Sequence, residues 1–410
     1  MGISPCSRLW TDINIHVHRK EITNCCRRRQ KRIPTVEDFK TLGADFWLLR
    51  PEVKQDKEHF LEARDFPIGC GECGEYHPDS RYTTHNKWVD MDESFYENLG
   101  LEDHVAQIEI GLSSLCNMTC MYCIPEVSSQ WAKKLGIAPL ETDKEWEDAM
   151  FESLYAFIEK KLTQVGRVSY TFLGGEPLLE PRCLEIMEKI SELHHASQTI
   201  RIEFVHNGNV GPSTLQKFID LTQKYDYIEW EVSLSTEAIG ERAEHIREGL
   251  SWKRFETNLC KLLEQTDIKV CILPSWNALA IPTMLEFHKW ALDLFLKYRD
   301  IDGLNHTWGI HMNTIYHPSP MNVGILPVEF RKYCDETIEW IESIIGDRTT
   351  SWRLNTYLKQ IEGIRNNIGK MRDPGKLSKV KKWYKEQEKI HNRKYWETFP
   401  ELYKVFDGVI

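Results

Sequence analysis

The sequence predicts an α/β fold with a parallel sheet, on three observations. From Val105 onward, short strand-like runs alternate with amphipathic helical runs, the pattern of strand–helix–strand units. Six such units follow one another, fewer than the eight that close a TIM barrel. The apolar share is 41% of 410 residues, enough for a real core, and no apolar run reaches membrane-spanning length.

Taken in order, residues 1–35 come first. Met1 to Arg8 has no apolar signal region, so secretion is not expected. Met1-Gly2 opens like a myristoylation signal, but Cys6 stands where Ser or Thr is wanted. Leu9 to Cys25 reads as a β-hairpin, with Ile13, Ile15 and Val17 alternating on one face. Its turn near Arg19-Lys20 lacks the favoured Gly or Asn. Cys6 precedes the hairpin and Cys25-Cys26 close it. Residues 36–65 read as helical. Cys70 and Cys73 then form a C-x2-C on the glycine-rich run Ile68 to Gly74, where glycine lets backbone amides approach sulfur. Cys6, one of Cys25 and Cys26, Cys70 and Cys73 would complete a four-thiolate site. Such a site holds either an auxiliary iron–sulfur cluster or a tetrahedral zinc.

The expected strands are Val105–Leu112, Val168–Leu173, Thr199–Val205, Tyr227–Leu234, Ile268–Leu273 and His306–Ile315. Helical patterns lie between them, at Asp143–Leu162, Leu184–His195, Ser213–Tyr225, Lys253–Gln265 and Pro282–Leu296. Val328 to Ile410 reads as further helices. Directly after the first strand stand Cys116, Cys120 and Cys123, at spacing C-x3-C-x2-C. Three thiolates on one loop can hold three corners of a [4Fe–4S] cube and leave one iron open. An open coordination position is how a metal site activates a substrate. The bland alternative is a zinc knuckle or a chance cluster of buried cysteines. Zinc sites usually pair C-x2-C with a second ligand pair, and no Cys or His lies just downstream. Clustered cysteines without a signal peptide read as metal ligands in a reducing cytoplasm. Cys183, Cys260, Cys271 and Cys334 are scattered and read as small buried hydrophobes.

The run Cys116-Asn117-Met118-Thr119-Cys120-Met121-Tyr122-Cys123 resembles the C-x3-C-x-aromatic-C signature of radical S-adenosylmethionine (SAM) enzymes. The resemblance implies a partial (β/α)6 TIM-like barrel, and the count of six units agrees. It implies that the open iron binds SAM, with Tyr122 near the adenine. Gly174-Gly175-Glu176-Pro177, after the second strand, resembles the element that binds the SAM amino group. Asn207, in His206-Asn207-Gly208, resembles the Asn-Gly turn that meets SAM or substrate; an ordinary turn is the alternative. Ser233 and Ser235 resemble the serine-bearing strand near the ribose, with simple packing as the alternative. Arg247 resembles an arginine that pairs with the SAM carboxylate through bidentate geometry; the alternative is a solvated surface arginine. Pro274 to Asn277 resembles a segment flanking the adenine. Asn313, Tyr316 and His317 match the run at the barrel mouth, while His306 and His311 read as core histidines.

The N-terminal pattern resembles the twitch domain, a short relative of the SPASM auxiliary-cluster domain. It comprises Cys6, Trp10, Cys25-Cys26, Cys70, Cys73 and Ser80-Arg81, with Cys25 the favoured ligand of its pair. The implied organisation is a twitch-like auxiliary-cluster domain over residues 1–100, a radical SAM core over 101–325 and a helical C-terminal extension over 326–410.

The formal charge of −10 hides an asymmetry. Ser351 to Lys394 holds 13 Lys and Arg against 4 Asp and Glu, so the rest of the chain carries about −19. Trp383, Tyr384, Tyr395 and Trp396 lie in or beside its basic part, and basic plus aromatic residues can bind nucleic acid. A solvated helix face is the commoner meaning.

The reading is a cytoplasmic radical SAM enzyme with two [4Fe–4S] clusters, the second replaceable by zinc. A flavodoxin or ferredoxin-type donor reduces the cluster on Cys116, Cys120 and Cys123. SAM then splits to a 5′-deoxyadenosyl radical, which abstracts hydrogen from a peptide or small-molecule substrate. RNA or a nucleotide is the second substrate class. A non-catalytic metal-binding interaction module is the rival of a different class.

Overall fold

The computed structural model describes residues 8–24, 33–48, 51–63, 104–138, 142–298, 310–345 and 352–406. Cys6, Cys25, Cys26, Cys70, Cys73, Ser80, Arg81 and His306 lie outside the described residues. The chain divides into two compact units. The first takes residues 1–116, 138–205 and 217–231; the second takes 117–137, 206–216 and 232–410.

The first unit is a mixed α/β body around a parallel sheet. Its strands are β1 (Asp12–His16), β2 (Glu21–Thr23), β3 (Gln107–Gly111), β4 (Arg167–Leu173) and β5 (Thr199–His206, whose last residue passes into the second unit). β2 pairs antiparallel with β1, and β1, β3, β4 and β5 then pair parallel in that order. The registers align Ile15, Ile110, Phe172 and Phe204 in one row. Ile13, Ile108, Tyr170 and Ile202 form a second row, two residues along. All eight side chains are buried, so the period-two alternation read from the sequence is one face of this sheet.

The hairpin forms over Asp12–Thr23, but Leu9 to Thr11, expected as its start, lie in the short helix Arg8–Thr11, and its turn differs in two ways. Val17 lies in the turn rather than on the strand, and Lys20 takes the left-handed conformation (φ 55°) that Gly or Asn usually supplies. Its amide closes the turn on the Val17 carbonyl at 3.0 Å. Asn14 is as buried as Ile13 and Ile15, because β1 continues the sheet beside β3.

The helix Lys144–Lys161 starts where Asp143 caps the Trp146 amide at 3.0 Å. It buries Trp146, Leu154 and Phe157, and the Trp146 and Phe157 rings meet Phe39 and Trp47. The helix Val36–Leu42 that carries Phe39 opens with a capping box between Thr35 and Asp38.

In the second unit β6 (Glu229–Leu234) ends, having begun in the first, and β7 (Lys269–Ile272) follows. The Leu273 amide bonds the Leu234 carbonyl at 2.7 Å. Of the expected strand His306–Ile315, the described part from Ile310 pairs parallel along its length. A bridge joins Ile310 to Ile272, Asn313–Thr314 pairs with Ser275–Trp276, and the His311, Asn313 and Ile315 amides bond the Ile272, Pro274 and Trp276 carbonyls at 2.8, 3.0 and 2.9 Å. The exposed Asn313 also accepts from the Thr314 amide at 2.9 Å. The C-terminal segment is helical at Arg331–Ile345, Trp352–Asn367, Pro374–His391, Tyr395–Thr398 and Pro400–Phe406. Tyr384, Tyr395 and Phe406 pack its core, with Tyr384 stacked on Phe406 at 4.5 Å. Among the described residues no helix is long and apolar enough to cross a membrane.

Candidate functional site

The cysteine stretch begins in the first unit with Ser113 to Cys116 and continues in the second from Asn117. In the first unit its approach is backed by the end of β4. The Gly175 amide donates to the Ser113 carbonyl at 2.8 Å, and the Glu176 amide donates to Leu115 at 2.7 Å. A Cβ on Gly175 would stand 2.4 Å from the Leu115 carbonyl oxygen. Gly174 sits at φ +142°, with a would-be Cβ 2.7 Å from the Ser113 oxygen. Both positions therefore need glycine. Glu176 is buried, and its Oε1 accepts from the Leu178 amide at 3.2 Å, starting the short turn Pro177–Leu179.

In the second unit the stretch is held by a short strand pairing and by side chains. Thr119–Cys120 pairs antiparallel with Arg247–Glu248, and the Met121 amide bonds the Ile246 carbonyl at 2.9 Å. Asn117 is gripped twice: its Nδ2 donates to the Asn209 carbonyl at 3.1 Å, and its Oδ1 accepts from Asn207 Nδ2 at 2.7 Å. Asn209 donates to the Gly249 carbonyl at 2.8 Å. Gly249, at φ +101°, would drive a Cβ to 2.5 Å from the Asn117 oxygen. Ser128 Oγ bonds the Met118 carbonyl at 2.8 Å, and Trp131 Nε1 bonds that of Cys120 at 2.9 Å.

Two charged groups complete this support. Glu248 accepts from Thr119 and Lys134, and it meets His391 Nδ1 at 2.6 Å. Burial pushes its carboxyl up, but the bonds from Lys134, Thr119 and His391 outweigh that and hold it at about 2. Beside Tyr122, the buried Arg247 directs Nε and Nη2 to Glu237 Oε2 at 3.1 and 2.7 Å. Its guanidinium lies 5.4 Å from the Tyr122 ring centre, and Tyr122 donates to the same carboxylate at 3.3 Å. Burial disfavours the Arg247 charge, and Glu237 more than restores it.

Of the residues named from the sequence, Cys120, Tyr122 and Arg247 are tied together by these bonds, and Asn207 is tied to Asn117. Cys123 bonds the Cys120 carbonyl through its amide at 2.9 Å, and Gly174 to Glu176 lie against the residues leading to Cys116. Arg247 is a buried, paired group rather than a solvated one. Ser233 is buried and Ser235 half-buried, its amide bonded to the His206 carbonyl at 2.8 Å. Trp276 and Asn277 are buried, whereas Asn313, Tyr316 and His317 are exposed. Sequence reasoning missed Asn117, Glu237, Glu248, Trp131 and His391. Only Asn117 carried a signal, as a polar residue between two ligand-type cysteines.

The donor set suits an iron–sulfur cluster. Cys116 and Cys120 are buried and Cys123 half-buried, and burial pushes the Cys123 thiol up. A bound cation is what would keep such groups as thiolates.

No family model matches the chain. Three curated relatives match it over short stretches. GTP 3′,8-cyclase of Streptomyces coelicolor is 33% identical over 91 residues, 22% of this chain and 24% of that protein. GTP 3′,8-cyclase of Trichormus variabilis is 30% identical over 106 residues, 26% and 28%. That of Sulfurovum sp. is 26% identical over 117 residues, 28% and 31%. The matched stretch thus spans under a third of each relative's length.

Proposed function

We propose that the chain is a cytoplasmic radical SAM enzyme whose cluster is held by Cys116, Cys120 and Cys123. The observation that carries the reading is the immobilised cysteine stretch, backed by glycine on one side and clamped by Asn117, Asn207 and Glu248 beyond it. Held by Cys116, Cys120 and Cys123, a cluster would supply the electron for reductive cleavage of SAM. The chain's own share is orientation and the exclusion of water. Tyr122 and the Arg247–Glu237 pair form one wall, fixed by the bonds described. Glu176, Pro177, Ser233 and Ser235 are the further SAM-binding candidates of this reading. Cys6, Cys25 or Cys26, Cys70 and Cys73 would carry an auxiliary [4Fe–4S] cluster, or zinc, in a twitch-like N-terminal domain.

The substrate of this reading is a peptide or small molecule. A nucleotide is the second reading, and one observation favours it: the three relatives are named for a reaction of GTP.

Anaerobic reconstitution with iron and sulfide, followed by dithionite and SAM, tests the proposal. The wild type should form 5′-deoxyadenosine and the Cys116→Ala variant none. A wild type that holds zinc and forms no 5′-deoxyadenosine would be a metal-binding module instead.

A further inference from the structure

The helix Pro374–His391 has two unlike faces. Val380, Tyr384 and His391 are buried. On the opposite face Lys379, Lys382, Lys385 and Lys389 recur every three or four residues, and all four are exposed. Two acids lie among them, the exposed Glu386, 3.9 Å from Lys382, and the half-buried Glu388 before Lys389. The inner face reaches the back of the cysteine stretch. The His391 ring stands edge-on to Trp131 at 5.1 Å, and Trp131 Nε1 bonds the Cys120 carbonyl. His391 Nδ1 meets Glu248, which also accepts from Thr119. A small cavity between helix and stretch is lined by Met121, Tyr384, Gln387, His391 and Arg393. His391, which reaches the stretch, follows Lys389 by two residues and Lys379 by twelve, so at about 1.5 Å per residue the lysines lie about 3 to 18 Å along the helix axis from it.

We infer that this lysine face docks an acidic one-electron carrier protein that reduces the cluster of the proposed site. The inference rests on the radical SAM reading and names the entry face for its electron. Charge argues for the occupant. Outside Ser351 to Lys394 the chain carries about −19, which repels an acidic carrier, and this face is an exposed positive exception that would steer it. A strand of RNA is also anionic and would stack its bases on exposed rings. Tyr384 and Tyr395 are buried in the helical core, and the half-buried Trp383 and Trp396 meet them edge-on at 4.9 and 5.4 Å, so none of the four presents a fully open ring. On encounter the carrier is oxidised by one electron and the cluster reduced by one; no proton or group is transferred.

The test compares wild type with a Lys379→Glu/Lys382→Glu/Lys385→Glu variant, each reconstituted anaerobically. Reduction is followed by stopped-flow absorbance and by the reduced cluster's electron paramagnetic resonance. With reduced flavodoxin as probe, the variant should be reduced at least about tenfold more slowly at low salt, and the wild-type rate should fall as salt rises. Dithionite should reduce both at the same rate. The corresponding lysine-to-glutamine variant, which adds no repulsion, should fall between them. Equal flavodoxin rates in all three proteins would overturn the inference while leaving the cluster reading intact. Unchanged flavodoxin rates with loss of salt-dependent RNA retention would assign the face to RNA and also overturn it. A wild type with no dithionite-reducible cluster would remove the radical SAM reading and this inference together.

Discussion

The cysteine stretch is supported in two different ways on its two sides. Before Cys116 the support is backbone on backbone: the Gly175 and Glu176 amides bond the Ser113 and Leu115 carbonyls, and glycine is there because nothing larger fits. After Cys116 a short backbone pairing of Thr119–Cys120 with Arg247–Glu248 is reinforced by side chains, through Asn117, Asn207, Thr119, Glu248 and Trp131. Backbone support is rigid, uncharged and intolerant of a single carbon. Side-chain support can be lost in steps, and part of it is charged. The difference predicts how each side fails.

The largest effect should come from Gly175→Ala. The new Cβ would meet a carbonyl oxygen at 2.4 Å, and that atom is backbone that cannot rotate away. The strand end and the approach to Cys116 must separate, costing on the order of 3 kcal/mol, the upper part of the overpacking range. Iron content after reconstitution should fall several-fold, and the unfolding midpoint should drop by several degrees. Gly211→Ala is the control, since nothing lies within 4 Å of its would-be Cβ. If both substitutions behave alike, close backbone approach is not what supports this side.

The same contrast explains what could be read from the sequence. The strands β3 to β7 were legible because burial on the sheet enforces alternation, as in Ile108 and Ile110 or Ile200 and Ile202. Gly174 and Gly175 were legible because a close approach leaves a two-glycine mark at a strand end. The clamp was not. Asn117 finds its partners 90 and 92 residues away, and Glu248 finds His391 143 residues away. Glu248 in a helix–loop run looks like any surface acid, and no local period announces its partner.

A middle effect is expected at Asn117 and Asn207. Asn117→Ala removes two partly buried bonds, to the Asn209 carbonyl and from Asn207 Nδ2, a loss of about 1–3 kcal/mol. Asn207→Ala removes one of these bonds and its own grip on the Asn209 amide at 2.9 Å. Because the two share the 2.7 Å bond, their double variant should be less destabilised than the sum, by about 1 kcal/mol. Denaturant unfolding of the metal-free protein measures this coupling. Strict additivity would mean the pair does not act as a clamp.

The smallest effect should separate the two sides by pH. Glu248 is held at about 2, below the usual carboxylate range, because its bonds to Lys134, Thr119 and His391 outweigh the cost of burial. A group with a lowered folded-state pKa contributes stability that is full above its unfolded value, near 4.5, and that is lost as pH falls toward 2. The glycine support contains no titrating group and keeps its strength throughout. Metal-free wild type should therefore lose stability faster than Glu248→Gln between pH 5 and 2. At pH 6 the variant should be weaker by only about 1 kcal/mol, since the pair is partly exposed and screened. Near pH 2 the two curves should converge, because the wild-type carboxylate is then also neutral. Parallel curves across that range would show that the glutamate carries no pH-linked part of the clamp, leaving Thr119 held by strand pairing alone.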